Sequence, residues 1–439
     1  MLQGFLPSTR ASEVTRFPYT WRSWPALLAV LVVFSFVLAA CGGGSSSPSS
    51  GPVTLTFGWW SNTPAKDNGM KAWIKDFESS HPNIHIKPEI LPWNNYWDKL
   101  KTTTAGGNAY DIIGICSCMA GPYYDSGALV DLSTISDYQS VAQTLTSQTL
   151  KITNWNGKPY GVPIGTSVSV MGYNKNLLKA AGVPFPDSSK PMTFDQFKAI
   201  GAKISKAGVQ YAINPLNIAD WDEFVRLEGG STYDNYVNPT KMTINTPAGI
   251  QGLADYQSLF TLHLAPPYDQ LNNGPWSFDL GALQTNKIGF ARVGAWLFSD
   301  ITNSAPYIAT SPLFCIKQCM LNSTVNSLAI YSGSKHQAEA WEFLKWSTQV
   351  QPEISFAKFS DIPANTQALA QMPTYIQPKE FVPSLQTAIP NVVPSVITQK
   401  QQLTTTLGDV ITDMVHGKLT PAQAAARLEQ QGNSVLSGA

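Results

Sequence analysis

Hydrophobic residues near the start of the chain follow first one periodicity and then another. Residues 53–59, VTLTFGW, nearly alternate between β-branched or apolar residues and others, which predicts a strand. Residues 70–77, MKAWIKDF, place their apolar side chains at the i, i+3, i+4 and i+7 spacing of one helix face. Residues 84–91 again predict a strand. A strand, a helix and a strand within about 40 residues form a βαβ unit, which favours a parallel sheet.

Similar patterns recur to the C terminus and predict an α/β fold class. Further helices are predicted over 93–107, 175–182, 193–208, 246–264, 335–349 and 420–432, and further strands over 110–115, 168–174 and 325–334. Thr193 and Gln196 have the spacing of a capping box. Thr420 is predicted as an N-cap with Pro421 at N1, and Gly432 as the end of that helix.

Composition narrows the function classes. The 439 residues correspond to about two or three domain-sized units. Apolar residues make up 43% of the chain, enough for a large core, while charged residues make up only 13%, about half the usual share. The formal net charge is zero. A nucleic-acid partner is therefore not expected, because such proteins carry a basic surplus.

Residues 1–40 have the pattern of an export signal. Three arginines precede an apolar run over 26–40, which is short for a membrane span of about 20 residues. The alternative is an uncleaved transmembrane anchor. Residues 38–41, LAAC, resemble the lipobox of bacterial lipoproteins, which implies cleavage before Cys41 and lipidation of its thiol. Residues 41–51 would then be the lipidated cysteine and a flexible Gly/Ser tether.

Four cysteines follow Cys41, namely Cys116, Cys118, Cys315 and Cys319. An even number in an exported protein favours disulfides over zinc. Four cysteines allow three connectivities, and the sequence leaves all three open. The segment 315–319 is short enough to close across a tight hairpin. Neither a metal nor a cofactor is expected.

The strongest enzymatic pattern is DWDE at 220–223. Glycoside hydrolysis needs two carboxylates that flank the sugar bond, and neighbours in sequence do not readily face each other across a substrate. The alternative is a helix that begins with Asp220 as its N-cap, with acidic residues in its first turn. We therefore expect a structural role for these acids.

Thirteen tryptophans are a high number, and several lie where turn residues cluster. Trp73, Trp341 and Trp346 fall in helical patterns and are predicted to be core residues; Ala338, Phe343 and Leu344 are also predicted to face inward. Aromatic faces at loops pack against sugar rings, and nearby polar groups pair with hydroxyls. Seven tryptophans at turns are candidates for such contacts, or for ordinary packing: Trp59, Trp60, Trp93, Trp97, Trp155, Trp221 and Trp296.

Six segments in a fixed order resemble the extracellular solute-binding proteins of ABC importers, in particular the sugar-binding family that includes maltose-binding protein. They are YWDKLKTTTAGGNAYDIIGI (96–115), GALVDLS (127–133), WNGKPYGVPIGTSVSVMGYNKNLLKAAGV (155–183), NKIGFARVGAW (286–296), LAIYSGSKHQAEAWEFLKW (328–346) and DIPAN (361–365). Tyr110 replaces the proline that is usual in the first segment. The resemblance covers nearly all of residues 52–439.

The resemblance implies a type II periplasmic-binding-protein fold, in which hinge segments join two lobes around a ligand cleft. Carried over, lobe 1 is 52–162 plus 312–347 and lobe 2 is 163–311 plus 348–439. The crossings then fall near 160–163, 306–313 and 345–349. Closure of the cleft around ligand would be a hinge motion.

The resemblance also implies ligand contacts at matching positions. These are Trp60, Ser61 and Asn62; Cys116, Ser117, Cys118 and Met119; Thr166 and Ser167; and Trp221, Trp296 and Asn365. Cys116 is either a ligand contact or one half of a disulfide. Few basic candidates fall in the cleft, which argues against phosphorylated ligands.

The function implied is capture of a sugar, without catalysis, by a monomeric and lipid-anchored binding protein that serves a membrane permease. Alternatives are a binding protein for glycerol phosphate, a polyamine or iron, a secreted glycosidase, and a scaffold or adhesion lipoprotein.

Overall fold

The structure is a computed structural model that describes residues 51–61, 63–215, 220–271, 279–398, 400 and 402–438. The predicted export signal, Cys41, the tether up to residue 50, and Asn62 lie outside these residues. Residues from Gly51 onward group into one compact unit. Across the described ranges, every helix is too short or too polar to cross a bilayer.

Nine strands in the described residues build two main sheets. They are β1 (Val53–Trp60), β2 (Ile84–Leu91), β3 (Ile112–Cys116), β4 (Val162–Thr166), β5 (Ser169–Asn174), β6 (Tyr211–Ile213), β7 (Ile288–Gly294), β8 (Ile308–Ser311) and β9 (Val325–Ile330). The first sheet has the order β2-β1-β3-β9-β4, and the second has the order β8-β5-β7-β6. Two further pairs are Asn154–Trp155 with Lys158–Pro159 and Leu321–Ser323 with Val392–Pro394.

The predicted βαβ unit is confirmed, because β1 runs parallel to both β2 and β3. The first sheet is nevertheless mixed, since β9 pairs antiparallel with β3 and β4. Strand β9 enters this sheet after the chain has built the second sheet. In the second sheet, β5 is antiparallel to β7 and β8, and β6 is parallel to β7.

Helices surround the sheets. They are Pro64–Ser80, Trp93–Ala105, Ser117–Tyr124, Tyr138–Ala142, Ser147–Thr153, Lys175–Ala180, Phe194–Ile204, Trp221–Leu227, Pro247–Thr261, Tyr268–Leu271, Asp279–Gln284, Phe298–Ser304, Gln337–Ser347, Val350–Ala357, Thr366–Ala370, Met372–Tyr375, Val382–Ala388, Gln402–Val415 and Pro421–Ser437. Short 3-10 turns lie at Leu132–Thr134, Ala295–Leu297, Lys379–Phe381 and Ile389–Asn391.

The predicted helix starts are confirmed. Thr193 and Gln196 form both hydrogen bonds of a capping box, and Thr420 caps the last helix with Pro421 in its first turn. Asp220 caps the helix that follows it by accepting a hydrogen bond from the backbone N–H of Glu223, at 3.1 Å.

Two details of the helix predictions were wrong. The last helix continues past Gly432 to Ser437 and ends at Gly438, whose φ is 75°. Gly432 is buried, and a β-carbon there would overlap Met242, so its small size serves packing instead of helix termination. Ala338 is exposed, and Ala340 takes the buried position one turn before Leu344.

The core of the first sheet includes a segment that the sequence assigned to the second lobe. Phe356, in the helix Val350–Ala357, is fully buried, and its ring centroid lies 5.4 Å from that of Trp73. The helix directly follows Gln337–Ser347, so its apolar face packs on the same side. Strand β4 also belongs to the first sheet, beyond the expected boundary at residue 162.

Two disulfides resolve the connectivity that the sequence left open. Cys116 is bonded to Cys118, and Cys315 is bonded to Cys319. Both bridges are local in sequence. The second closes the turn that follows residue 314, as the hairpin prediction expected.

Candidate functional site

A cavity of about 450 Å³ lies where strands of the two sheets end. The first sheet contributes residues at the ends of β1, β3 and β9, and the second contributes residues of β7 and the turn after it. The cavity is lined by Trp59, Trp60, Ser61, Lys66, Trp93, Cys116, Cys118, Ser167, Arg292, Trp296, Thr324, Asn326, Phe359, Ser360 and Asp361. Its size falls within the range of about 300–1,000 Å³ that is usual for small-molecule sites.

One wall of the cavity is aromatic. The rings of Trp59 and Trp60 stack with centroids 4.2 Å apart and an interplanar angle of 11°. Trp93 meets Trp60 edge-on, with centroids 5.3 Å apart. Gly114 has no β-carbon, and the space that one would fill is occupied by the Trp59 indole. Because these rings support one another, they present fixed faces to a ligand.

Trp296 approaches the cavity from the second sheet. It follows β7 directly, in the 3-10 turn Ala295–Leu297. A β-carbon at Gly294 would overlap the Trp296 ring, so the glycine allows the indole to lie against the backbone. The Gly-x-Trp end of the segment NKIGFARVGAW therefore has a direct structural reason in this packing.

The Cys116–Cys118 disulfide lines the cavity next to the aromatic wall. Cys116 ends β3 and is the N-cap residue of Ser117–Tyr124. Ser117 lies between the two cysteines but is buried behind them, where its hydroxyl accepts a hydrogen bond from the Val325 N–H at 3.0 Å. The bridge and this hydrogen bond together fix the start of the helix that follows β3.

Two basic side chains line the cavity. Lys66 Nζ lies 3.9 Å from Asp300 Oδ2. Burial lowers the pKa of Lys66, and the charges of Asp300 and Asp361 oppose that shift. Arg292 donates from Nε to the Ser169 hydroxyl at 2.6 Å and from Nη2 to the carbonyl of Asn322 at 3.2 Å. The sequence led us to expect few basic groups in the cleft, and neither Lys66 nor Arg292 was singled out as one of them.

Asp361 is an acidic residue in the same cavity, and its side chain is only 2% exposed. Its Oδ2 accepts hydrogen bonds from the Asn326 amide and, at 3.3 Å, from the Ser360 hydroxyl. Burial raises the pKa of Asp361, while hydrogen bonds from Ser167 and Asn326 and the charge of Lys66 act in the opposite direction.

The structure brings together five of the residues that the sequence predicted as ligand contacts. These are Trp60, Ser61, Cys116, Ser167 and Trp296, all of which line the cavity, and Cys118, which was predicted with its neighbours, is a sixth. Their role in binding stays a prediction. Trp73, Trp341 and Trp346 are buried, as predicted for core residues.

Other predicted contacts lie elsewhere. Thr166 pairs through its backbone with Ile362 and faces a separate small cavity. Trp221 packs against the core of the second sheet. Asn365 is buried and caps the helix Thr366–Ala370, with its amide donating to the Thr348 carbonyl at 2.9 Å. Ser117 is held behind the disulfide, and Asn62 lies outside the described residues.

The residues that sequence reasoning missed are chiefly the charged ones. Arg292 lies inside the NKIGFARVGAW segment, and Asp361 begins the DIPAN segment, so both were within recognised motifs without being singled out. Lys66 lies in the first turn of the helix Pro64–Ser80, in a polar stretch whose sequence gave no sign of a ligand contact. Asn326 is in a segment that was predicted only as a strand.

The DWDE acids form a buried polar network outside the cavity. Asp222 accepts a hydrogen bond from the Tyr236 hydroxyl at 2.7 Å, and Glu223 accepts one from the Asn322 N–H at 2.8 Å. Burial raises the pKa of Glu223 to about 8. These contacts hold the short pair of strands that contains Asn322, which is a structural role, as the sequence led us to expect.

A family model described as "Bacterial extracellular solute-binding protein" matches residues 72–383. Among curated proteins, the chain is 26% identical over 362 residues to the diacetylchitobiose binding protein DasA of Streptomyces coelicolor, covering 76% of this chain and 79% of that protein. It is 25% identical over 182 residues to the arabinooligosaccharide-binding protein of Bacillus subtilis, covering 41% of each chain.

Solved structures show the same fold. An ABC substrate-binding protein of Listeria monocytogenes in complex with cycloalternan superposes with a TM-score of 0.76 at 20% identity, covering 88% of this chain and 99% of that one. A cyclic alpha-maltosyl-1,6-maltose binding protein of Arthrobacter globiformis gives a TM-score of 0.74 at 18% identity, covering 89% of this chain and 100% of that one.

Proposed function

We propose that this chain, which belongs to the bacterial extracellular solute-binding proteins, captures a mono- or oligosaccharide and delivers it to the membrane permease of an ABC importer. The observation that carries the proposal is the cavity, in which tryptophan faces from both sheets stand beside buried hydrogen-bonding groups. Indole faces pack on the C–H faces of sugar rings, and amide, hydroxyl and carboxylate groups pair with sugar hydroxyls. The names of its relatives, which include binders of several oligosaccharides, support the same class of ligand.

Binding without catalysis fits the carboxylates of the site. Within the described ranges, Asp361 is the single carboxylate that lines the cavity. Hydrolysis of a glycoside by the usual mechanism needs two, about 5–10 Å apart across the bond. Asp222 and Glu223 are engaged elsewhere. We therefore expect no hydrolysis of an aryl glycoside, and turnover that disappears in Asp222→Asn or Glu223→Gln would contradict this.

An anionic solute is a second candidate, because Lys66 and Arg292 both line the cavity. A phosphate group would pair with such cations. Asp361 beside Lys66 counts against it, since a buried carboxylate repels an anion. Glycerol 3-phosphate is accordingly the matched competitor to neutral sugars in the binding experiment.

The anchor is proposed from the lipobox-like residues 38–41, with the Gly/Ser-rich residues 42–51 as a tether. Lipidation at Cys41 would keep the binding protein at the membrane surface near its permease. Cys41→Ser should release the protein from the membrane fraction. If the variant stayed in that fraction, residues 26–40 would instead be an uncleaved anchor.

Isothermal titration calorimetry on the purified protein, from residue 42 onward, tests the ligand class. The panel is maltotriose, diacetylchitobiose, arabinotriose, galactotriose and glycerol 3-phosphate. Saturable binding of at least one neutral sugar is expected, with the anion weaker. Tight binding of glycerol 3-phosphate and of none of the sugars would replace the sugar assignment. Small-angle scattering with and without the bound sugar tests the two-lobed closure; a scaffold protein would show no change.

A further inference from the structure

A second cavity, of about 480 Å³, adjoins the aromatic cavity and is nearly equal to it in size. Trp296 and Phe359 line both cavities. The two spaces therefore meet at these two rings. The second cavity is lined, among other residues, by Trp296, Phe298, Lys358, Phe359, Tyr375 and Gln377.

The two shared rings are anchored to different sheets. Trp296 follows β7 of the second sheet, in the turn Ala295–Leu297. Phe359 packs with the core of the first sheet, where its ring centroid lies 5.2 Å from that of Phe356 and a β-carbon at Gly69 would overlap it. Both rings are half-buried, so each keeps exposed surface that a ligand can cover. A ligand that extends from one cavity into the other would contact both rings.

The second cavity repeats the chemistry of the first. Tyr375 is half-buried, and its hydroxyl donates to the Ala368 carbonyl at 3.0 Å, which fixes the orientation of the ring. Phe298 supplies a further aromatic side chain from the core of the second sheet. Lys358 and Gln377 are exposed polar residues of the same lining. Aromatic surface beside hydrogen-bonding groups is what a sugar unit requires.

The charges around the second cavity suit a neutral continuation of the ligand. Among the described residues that line it, Lys358 is the single charged one. Lys358 is exposed, and water and salt screen an exposed charge. The second cavity therefore selects a ligand by shape and apolar contact more than by charge.

We propose that the second cavity is a subsite for further units of the same sugar chain, and that the solute is a neutral oligosaccharide that occupies both cavities. The proposal rests on the proposed function. It adds the class of sugar, and it names Tyr375 as a contact that only a longer chain reaches. Trp296 and Phe359 contact the units that cross from one cavity to the other.

The dependence of affinity on chain length tests the proposal in the wild type. Calorimetry compares glucose, maltose, maltotriose, maltotetraose and maltopentaose, with the matching series of N-acetylglucosamine, arabinose and galactose in parallel. In a series that binds, affinity should rise at least about tenfold from the monosaccharide to the longest member, because added units cover further aromatic surface. A monosaccharide that binds as tightly as its longer homologues would overturn the proposal.

Tyr375→Ala tests whether the gain in affinity comes from the second cavity. The variant should lose about tenfold in affinity for the longest member and stay within about twofold of the wild type for the monosaccharide. Tyr375→Phe keeps the ring and removes only the hydroxyl that bonds to Ala368, so it should retain most of the gain. An equal loss for every chain length would contradict a contact that only longer chains reach.

Phe185→Ala is the matched control, because Phe185 is an aromatic residue that is 50% exposed and lines neither cavity. Its affinities should equal those of the wild type at every chain length. Thermal unfolding verifies that the variants fold. If Tyr375→Ala does not fold, Tyr375→Leu, which keeps apolar bulk but no ring, takes its place with the same expected losses.

Failure of the subsite and failure of the proposed function give different results. If sugars bind but a folded Tyr375→Ala leaves the dependence on chain length unchanged, the subsite is refuted and sugar capture stands. If no member of any series binds to the wild type, the proposed function fails, and the subsite fails with it.

Discussion

Two tryptophan clusters pack against the first sheet, and they differ in what covers their outer faces. In the core cluster, Trp73 lies 5.0 Å from Trp346 between ring centroids, and in the cavity cluster Trp60 lies 5.3 Å from Trp93. Trp73 is 1% exposed and donates its indole N–H to the Pro352 carbonyl at 2.9 Å. Trp60 and Trp93 are half-buried and open onto the cavity. Similar ring packing therefore serves the core in one place and presents a surface to solvent in the other.

Replacing a ring of the core cluster should give the largest change in stability. Trp73→Ala removes a fully covered side chain and leaves a void among Phe343, Trp346 and Phe356. The free energy of unfolding should fall by about 3–5 kcal/mol, measured by urea titration. Sugar affinity of the folded fraction should be retained. A loss below about 1 kcal/mol would show that the cluster is not part of the folded core.

Replacing a ring of the cavity cluster should act mainly on binding. Trp93→Ala removes one face of the cavity, and we expect affinity for the bound sugar to fall about tenfold, or about 1.4 kcal/mol. The cost in unfolding free energy should be clearly smaller than for Trp73→Ala. If Trp93→Ala lost stability but no affinity, the comparison between the two clusters would break down.

The buried acid Glu223 allows a prediction about how stability depends on pH. Burial raises the pKa of Glu223 to about 8, from 4.5 for the ordinary side chain. A carboxyl whose pKa is raised on folding stabilises the fold most below pH 4.5, and this contribution is lost as the pH rises towards 8. The melting temperature of the wild type should therefore fall relative to Glu223→Gln between pH 5 and 8. Parallel melting curves across that range would contradict the assignment of a protonated Glu223.

The two disulfides should give the smallest effects on stability and should differ in binding. Each closes a loop of only a few residues, so loss of either should cost about 2 kcal/mol or less in unfolding free energy. The Cys116→Ser/Cys118→Ser variant should also lose a few-fold in sugar affinity, because that bridge lines the cavity. Cys315→Ser/Cys319→Ser is the matched control and should bind normally. Equal affinities in both variants would show that the Cys116–Cys118 bridge does not contribute to sugar binding.

Periodicity and capping predicted much of the local structure because they depend on neighbouring residues. The capping box at Thr193 and the helix start at Thr420 have this local origin. Gly432 was wrongly predicted to end the last helix. Its small size is needed because a β-carbon there would overlap Met242, which is distant in sequence. The antiparallel pairing of β9 with β3 likewise depends on chain topology, and the local sequence of β9 does not indicate it.

The candidate site could be predicted only where a motif or an aromatic residue marked it. Trp60 and Trp296 were found this way. Asp361 was not singled out, because its burial and its contact with Asn326 arise from two segments brought together by folding. Thr166 and Ser167 show the same limit at finer scale: they are adjacent, yet only Ser167 lines the cavity.

A crystal structure of the protein with the sugar that binds most tightly in the calorimetric panel tests the central claim most directly. The account predicts a sugar ring in van der Waals contact, at about 4 Å, with the indoles of Trp60, Trp93 or Trp296. Sugar density at any other surface, with this cavity unoccupied, would contradict the account.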